Sequence, residues 1–134
     1  MMKNRSELRE IIMKILYQIS IYDDAKIEYN ISDLIDEQMD IENSFVNDTV
    51  DGVIKYKKEI YGLANKYLKD WTMSRLNKVD QAIISIGIYE LMYTDTPSVV
   101  SINEAIELSK KYSEDAVVKM INGVLDKVYH EEIK

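Results

Sequence analysis

The chain of 134 residues contains no cysteine, one proline, four glycines and one histidine. Without cysteine there can be no disulfide, no thiolate metal site, no thiol nucleophile and no iron–sulfur cluster. The single histidine, His130, excludes any site that needs two. A β-sandwich or barrel needs frequent turns, and turns are built largely from glycine and proline. The shortage of both residues therefore argues against an all-β fold and favours a helical one.

Long hydrophobic runs are also missing. No apolar run approaches the ~20 residues that a membrane-spanning helix requires, and the first run, residues 11–13, ends at Lys14. We therefore expect no signal peptide, no membrane partner and a cytoplasmic protein. With 46% hydrophobic and 31% charged residues, the composition is that of one folded domain spanning residues 1–134.

Positive charge is outnumbered, and the imbalance is local. The chain has 17 basic and 24 acidic residues, but residues 23–51 hold ten of the acids and one base, Lys26. Residues 1–22 hold four bases and two acids. Salt screens exposed charges beyond about 8 Å. A basic patch near the N-terminus can therefore bind an anion despite the net charge of −7.

Helical spacing of apolar residues predicts an all-α bundle of six or seven helices. The segment 41–68 contains Gly52 and Gly62, so a kink or a split into two helices is an alternative there. Residues 76–92 are the most apolar, which predicts a central buried helix containing Ile83 and Ile86. The predicted helices cover residues 4–22, 32–39, 41–68, 76–92, 101–112 and 114–131.

Two helix starts carry capping signals. Ser32 is a suitable N-cap for the second helix, and Ser101 with Glu104 has the spacing of a capping box after the loop 94–98. Ile41 and Asn47 stand where a calcium loop beginning at Asp36 would need glycine and glutamate, so that site is excluded.

No feature of the sequence predicts an enzyme. Glu104 and Glu107 share a helix face, but a di-iron bundle would need a second histidine. The chain has no phosphate loop, no dinucleotide fingerprint and no nucleophile elbow. We therefore expect no metal, no cofactor and no catalytic residue.

Three stretches resemble the NusB family of bacterial transcription antitermination factors. They are RSELREIIMKILYQ at residues 5–18, WTMSRLNKVD at 71–80, and SINEAIEL at 101–108 followed by INGVLDK at 121–127. The resemblance implies an all-α fold of two small helical subdomains, about 1–69 and 70–134. It also implies a non-catalytic protein that pairs with the ribosomal protein NusE and binds the single-stranded boxA RNA of ribosomal RNA operons. NusA, NusG and RNA polymerase are then indirect partners.

The resemblance also implies RNA-binding residues. Arg5 and Arg9 match family arginines that meet RNA phosphates, and Tyr17 matches an aromatic residue that offers a stacking face for a base. Lys119 matches a family lysine, and Met120 stands where the family has phenylalanine. From the helical spacing we expect Arg5, Arg9 and Tyr17 to point outward and form one surface. Replacement of either arginine by alanine is expected to leave stability nearly unchanged.

Two acids are candidates for binding a basic protein partner. Asp80 keeps an acid that the family places near NusE and RNA, and Glu90 follows on the same helix. The acidic segment 23–51 suits such a partner as well. Basic residues of the family are replaced by Ser6, Gln81 and Ser85, which thins the expected RNA surface.

Several alternatives stay open at this point. One is a NusB-fold protein-interaction module with little RNA affinity of its own. Another is a fragment related to the NusB-like domain that precedes some ribosomal RNA cytosine methyltransferases. A homodimer is also open, because some family members dimerise. Within the Asn-Gly signature we expect Gly123 to permit close helix packing and Asn122 to satisfy a buried backbone group.

Overall fold

Seven α-helices account for most of the computed structural model, which describes residues 3–133. Within that range there is no strand, so the prediction of an all-α bundle is confirmed. The ends of the predicted domain, residues 1, 2 and 134, lie outside the described residues. The helices are α1 Arg5–Ala25, α2 Ile31–Gln38, α3 Ser44–Lys55, α4 Lys57–Tyr67, α5 Lys78–Tyr93, α6 Ser98–Tyr112 and α7 Asp115–Val128. A 3-10 turn at Met73–Arg75 precedes α5, and a π-helical segment, Tyr129–Ile133, follows α7.

Asparagine side chains begin four of the helices. Asn4, Asn30, Asn43 and Asn77 each accept a hydrogen bond from the backbone N–H three residues later. An N-cap of this kind contributes about 1 kcal/mol to helix stability. The prediction that Ser32 caps the second helix was wrong, because Asn30 holds that position and the helix begins at Ile31.

The segment predicted as residues 41–68 is split into α3 and α4 at Tyr56. The Tyr56 backbone has φ −102° and ψ 18°, outside the helical range. Its ring is stacked on Tyr93 of α5 with centroids 4.0 Å apart. The alternative of two helices is therefore the one that the structure shows. The break lies at Tyr56, where the aromatic contact occurs, and not at Gly52 or Gly62.

Helix α5 lies at the centre of the bundle, as its apolar sequence predicts. Ile83 and Ile86 are buried, and α5 packs against α1, α3, α4, α6 and α7. Helices α1 and α5 run antiparallel, because Arg9 near the start of α1 pairs with Glu90, whereas Asp24 near its end pairs with Lys78. Within the described residues no helix is long and apolar enough to cross a membrane.

The predicted capping box at Ser101 and Glu104 does not exist. Helix α6 begins one turn earlier, at Ser98, directly after Pro97. Ser101 is buried and its hydroxyl donates to Glu90 Oε1 at 3.3 Å. Glu104 accepts a hydrogen bond from Arg9 instead. Both side chains therefore link helices, although their spacing is that of a local cap.

Candidate RNA and protein interface

Arg9 lies inside the protein, with 4% of its surface exposed. Its Nε donates to Glu90 Oε2 at 2.7 Å, its Nη2 to Glu90 Oε1 at 2.8 Å, and its Nη1 to Glu104 Oε1 at 3.1 Å. Burial alone would lower the pKa of Arg9, but the hydrogen bonds and charges of Glu90 and Glu104 raise it. The expectation that Arg9 points outward toward RNA was wrong, because this side chain completes a buried ion-pair network.

Glu90 is also internal, with 1% of its surface exposed. Besides Arg9, it accepts a hydrogen bond from Ser101 of α6. Ser6 extends the network by donating from its hydroxyl to Glu104. The expectation that Glu90 faces a protein partner was wrong, because its carboxylate is used to join α1, α5 and α6.

Arg5 lies on the side of α1 that faces α3. Its guanidinium carbon is 4.0 Å from the ring centroid of Phe45. Tyr17 is twelve residues further along, which at 100° per residue places it about 120° around the helix from Arg5. With Arg9 buried between them, the predicted single surface of Arg5, Arg9 and Tyr17 does not form.

Tyr17 is seven residues after Glu10, which at 100° per residue places it on the same side of α1 as Glu10, the side that adjoins the end of α6. There Lys111 Nζ is 3.1 Å from Glu10 Oε1, and the Tyr112 hydroxyl donates to the same carboxylate. These two hydrogen bonds lower the pKa of Glu10, and the charge of Lys14 acts in the same direction. We define the α1–α6 face as the surface formed by Lys14, Tyr17, Lys110, Lys111 and Tyr112.

The α1–α6 face combines exposed cations with exposed aromatic rings. Tyr17 and Tyr112 are 39% and 40% exposed, and the Lys110 and Lys111 side chains are more exposed still. Glu10 neutralises part of the charge and holds both Lys111 and Tyr112 in position. Lys110, Lys111 and Tyr112 were missed by sequence reasoning, although a Lys-Lys-Tyr run at a helix end is a visible signal.

Asp80 lies at the start of α5 and is buried. Its carboxylate accepts a hydrogen bond from Ser113, which directly follows α6. Burial raises the pKa of Asp80, the Ser113 hydrogen bond opposes that rise, and the negative charge of Glu114 adds to it. Asp80 is therefore not exposed to a basic protein partner, contrary to our expectation, and its carboxylate anchors the α6–α7 connection to α5.

Gln81 and Ser85, which replace family bases, are buried as well. Gln81 Nε2 donates to the backbone oxygens of Met73 at 2.7 Å and Leu76 at 3.0 Å. These contacts hold the 3-10 turn against α5. Positions 81 and 85 therefore lie in the interior of this chain and not on its surface.

Helix α7 presents Lys119 to solvent, whereas Met120 is half-buried against the core. Asn122 and Gly123 are both exposed, and a Cβ placed on Gly123 would meet no atom within 4 Å. The expectations of close packing at Gly123 and of a buried role for Asn122 were therefore wrong. In this chain the Asn-Gly signature lies on a surface ridge of α7.

The family model described as "NusB family" matches residues 6–130. The chain belongs to the NusB family. A curated relative, the transcription antitermination protein NusB of Acetivibrio thermocellus, is 42% identical over 128 residues, which cover 92% of this chain and 87% of the relative. A similar protein of the same name from Ligilactobacillus salivarius is 38% identical over 91% of this chain and 95% of its own length.

Solved NusB structures share the fold. A NusB structure from T. maritima matches with a TM-score of 0.85 and 26% identity, covering 100% of this chain and 96% of that one. A crystal structure of the antitermination factors NusB and NusE in complex with dsRNA matches with a TM-score of 0.78 over 97% of this chain and 98% of that one. At 24% identity, that second match shows the fold alone.

Proposed function

We propose that this NusB-family chain is a transcription antitermination factor that pairs with NusE and binds single-stranded boxA RNA of ribosomal RNA operons. The curated relatives carry the name of transcription antitermination protein NusB, and one NusB of this fold has a structure in complex with NusE and dsRNA. The observation in this chain that carries the proposal is the α1–α6 face, where cations and exposed aromatic rings lie together.

The α1–α6 face has the two components that single-stranded RNA requires. Tyrosine rings stack with bases, and each stacked base contributes about 1–3 kcal/mol. Lysine side chains neutralise phosphates and release counterions, which makes binding dependent on salt. Glu10 fixes Lys111 and Tyr112 before RNA arrives, so less side-chain entropy is lost on binding. The role of this face is binding and orientation, with no chemical step.

Helix α7 extends the proposed RNA surface. Lys119 on α7 supplies an additional exposed cation, and Met120 next to it supplies a small apolar contact. Arg5 lies about 120° around α1 from Tyr17, over Phe45, so it is not part of the proposed RNA surface. We propose that NusE binds near Ser113 and Asp80, where the α6–α7 connection meets α5. The complex of this chain with NusE would then bind NusA, NusG and RNA polymerase.

A second candidate function is a NusB-fold adaptor that binds protein and has little RNA affinity of its own. One observation favours it specifically. Arg9, which the resemblance assigns to RNA, is buried and paired with Glu90 and Glu104, and Gln81 and Ser85 carry no charge. The free positive charge is therefore smaller than the sequence suggests.

Titration of boxA RNA with and without NusE separates the two functions. The RNA-binding proposal expects tight binding when NusE is present, and a loss of about 1–3 kcal/mol for Tyr17→Ala. Lys58→Ala is the control, because Lys58 is exposed on α4, a helix that contributes no residue to the α1–α6 face. Equal RNA affinity with and without the NusB-family chain would overturn the RNA-binding proposal and leave the adaptor.

A further inference from the structure

We propose that a cleft at the C-terminal end of α5 binds a basic segment of a second protein. An apolar side chain of that segment would insert into the cleft. The cleft lies between the start of α1, the start of α3 and the connection from α5 to α6, and it has a volume of about 720 Å³. It is separate from the α1–α6 face and from Asp80. This interaction goes beyond the RNA and NusE contacts proposed above.

The wall of the cleft is aromatic and firmly held. Phe45 lies beneath Arg5, and Tyr93 is stacked between Tyr56 and Tyr89 with centroid distances of 4.0 and 5.9 Å. Tyr89 donates from its hydroxyl to the Asp48 backbone oxygen at 3.4 Å. A wall whose rings are already fixed loses little entropy when a partner binds.

The rim of the cleft exposes aliphatic side chains. Val99 and Val100, in the first turn of α6, are 67% and 42% exposed, and Pro97 beside them is exposed as well. Val100 lines the cleft itself. Together with Phe45, these residues form an apolar surface that an aliphatic or aromatic side chain of a partner would cover.

The charges around the cleft select a basic partner. Asp48 and Asp95 line it together with two bases, but Arg9 is paired with Glu90 and Glu104, and Arg5 lies over the ring of Phe45. The outer ridge of α3 continues from Asp48 to Asp51, which lines a second depression containing Ile41, 79% exposed. The other acids of that second depression are Asp36, Asp40 and Glu42. This combination attracts lysine and arginine side chains and repels the phosphates of RNA.

The position of the cleft allows simultaneous binding at the α1–α6 face. Val100, which lines the cleft, and Lys111 of the α1–α6 face are eleven residues apart on α6, which corresponds to about 16–17 Å along the helix axis. Glu90, beneath the cleft, and Asp80 are ten residues apart on α5, which corresponds to about 15 Å. The buried pair of Arg9 and Glu90 stands between the cleft and the interior. A basic protein segment could therefore be held at this end while RNA and NusE occupy the other.

Chemical-shift mapping of the full-length ¹⁵N-labelled protein tests the proposal. The probes are a short peptide of alternating lysine and leucine, the same peptide with glutamate for lysine or serine for leucine, and a poly-uridine oligonucleotide. We expect only the lysine–leucine peptide to shift the backbone amides of residues 44–49 and 94–100. Asp48→Lys combined with Asp95→Lys should weaken its binding by about tenfold or more.

The controls keep the outcome decisive. Both substituted aspartates are exposed, so retained helical circular dichroism will show that the variant is folded. Asp126→Lys, on the exposed side of α7, should leave peptide binding unchanged. The proposal is overturned if the oligonucleotide shifts the cleft amides, if the peptide at millimolar concentration shifts none of them, or if self-association of the chain covers the cleft. Loss of boxA binding by Tyr17→Ala bears only on the function proposed above.

Discussion

Arg9 of α1 and Glu90 of α5 are joined by two parallel hydrogen bonds of 2.7 and 2.8 Å inside the core. The two residues are 81 positions apart in the chain, so the pair fixes the start of α1 against the end of α5. Serine hydroxyls and Glu104 complete the network, and the described part of the chain contains no buried side-chain nitrogen or oxygen without a partner. Arg9, which the family resemblance assigns to RNA binding, therefore stabilises the fold of this chain.

Removal of Arg9 should therefore destabilise the fold. Arg9→Ala would leave the Glu90 carboxylate buried without its cation, which typically costs about 3–5 kcal/mol. Urea unfolding measures the loss, and Arg5→Ala is the matched control because a partly exposed cation–aromatic contact contributes about 0.5–1 kcal/mol. Arg9→Met combined with Glu90→Leu should recover most of the stability. Equal, small losses for Arg9→Ala and Arg5→Ala would show that the network is unimportant.

The central position of α5 gives a second prediction. Ile83→Ala should lower the free energy of unfolding by roughly 2–5 kcal/mol, because the side chain is fully buried and its removal leaves a cavity. Val99→Ala, at an exposed position, should change it by no more than about 0.5 kcal/mol. Thermal or denaturant unfolding of both variants checks the difference, and a peripheral α5 would give similar small effects.

Two helical glycines should respond in opposite ways to alanine. Gly123 has open space around it, so Gly123→Ala should stabilise the protein by up to about 1 kcal/mol through helix propensity. A Cβ on Gly87 would lie 2.9 Å from both δ-carbons of Leu125, which is fully buried. Gly87→Ala should therefore destabilise. Unfolding curves that shift in the same direction for both variants would contradict this account of α5 and α7 packing.

The buried Asp80 predicts a particular dependence of stability on pH. Its pKa is raised in the folded protein, so its ionised form costs stability above that pKa, and the cost disappears as pH falls below the unfolded value of about 3.9. Asp80→Asn keeps an oxygen acceptor for Ser113. Because the asparagine has no charge to bury, the Asp80→Asn variant should be more stable than the parent near neutral pH. The difference in stability should shrink as the solution is acidified. A difference independent of pH would contradict the assignment.

The sequence predicted the helices better than it predicted the site. Apolar spacing identifies every long helix and the buried position of Ile83, because the amphipathic pattern and the core reflect the same burial. The sequence allows a split within residues 41–68 as an alternative but does not place the break at Tyr56, whose ring is stacked on Tyr93 of α5. The spacing of Ser101 and Glu104 is ambiguous, because serine and glutamate serve both in helix caps and in hydrogen bonds between helices.

The site residues show most clearly what could not be predicted from the sequence. Helical spacing puts Arg9 at the edge of the apolar stripe, and whether such an arginine faces solvent depends on an acid 81 residues away. Lys111 and Tyr112 could not be connected with Tyr17 from spacing alone, because α1 and α6 are brought together only by the bundle. The expected function came from the family resemblance, because the spacing of residues along one helix does not indicate a function.

The measurement that tests the account most directly is the salt dependence of boxA RNA binding in the presence of NusE. For single-stranded RNA each lost phosphate contact reduces the slope of log K against log salt by about 0.7. Lys14→Ala combined with Lys111→Ala should therefore reduce the slope by about 1.4. Lys57→Ala combined with Lys58→Ala, exposed on α4, should not change it. Equal slopes for the parent and the Lys14/Lys111 variant would contradict RNA binding at the α1–α6 face.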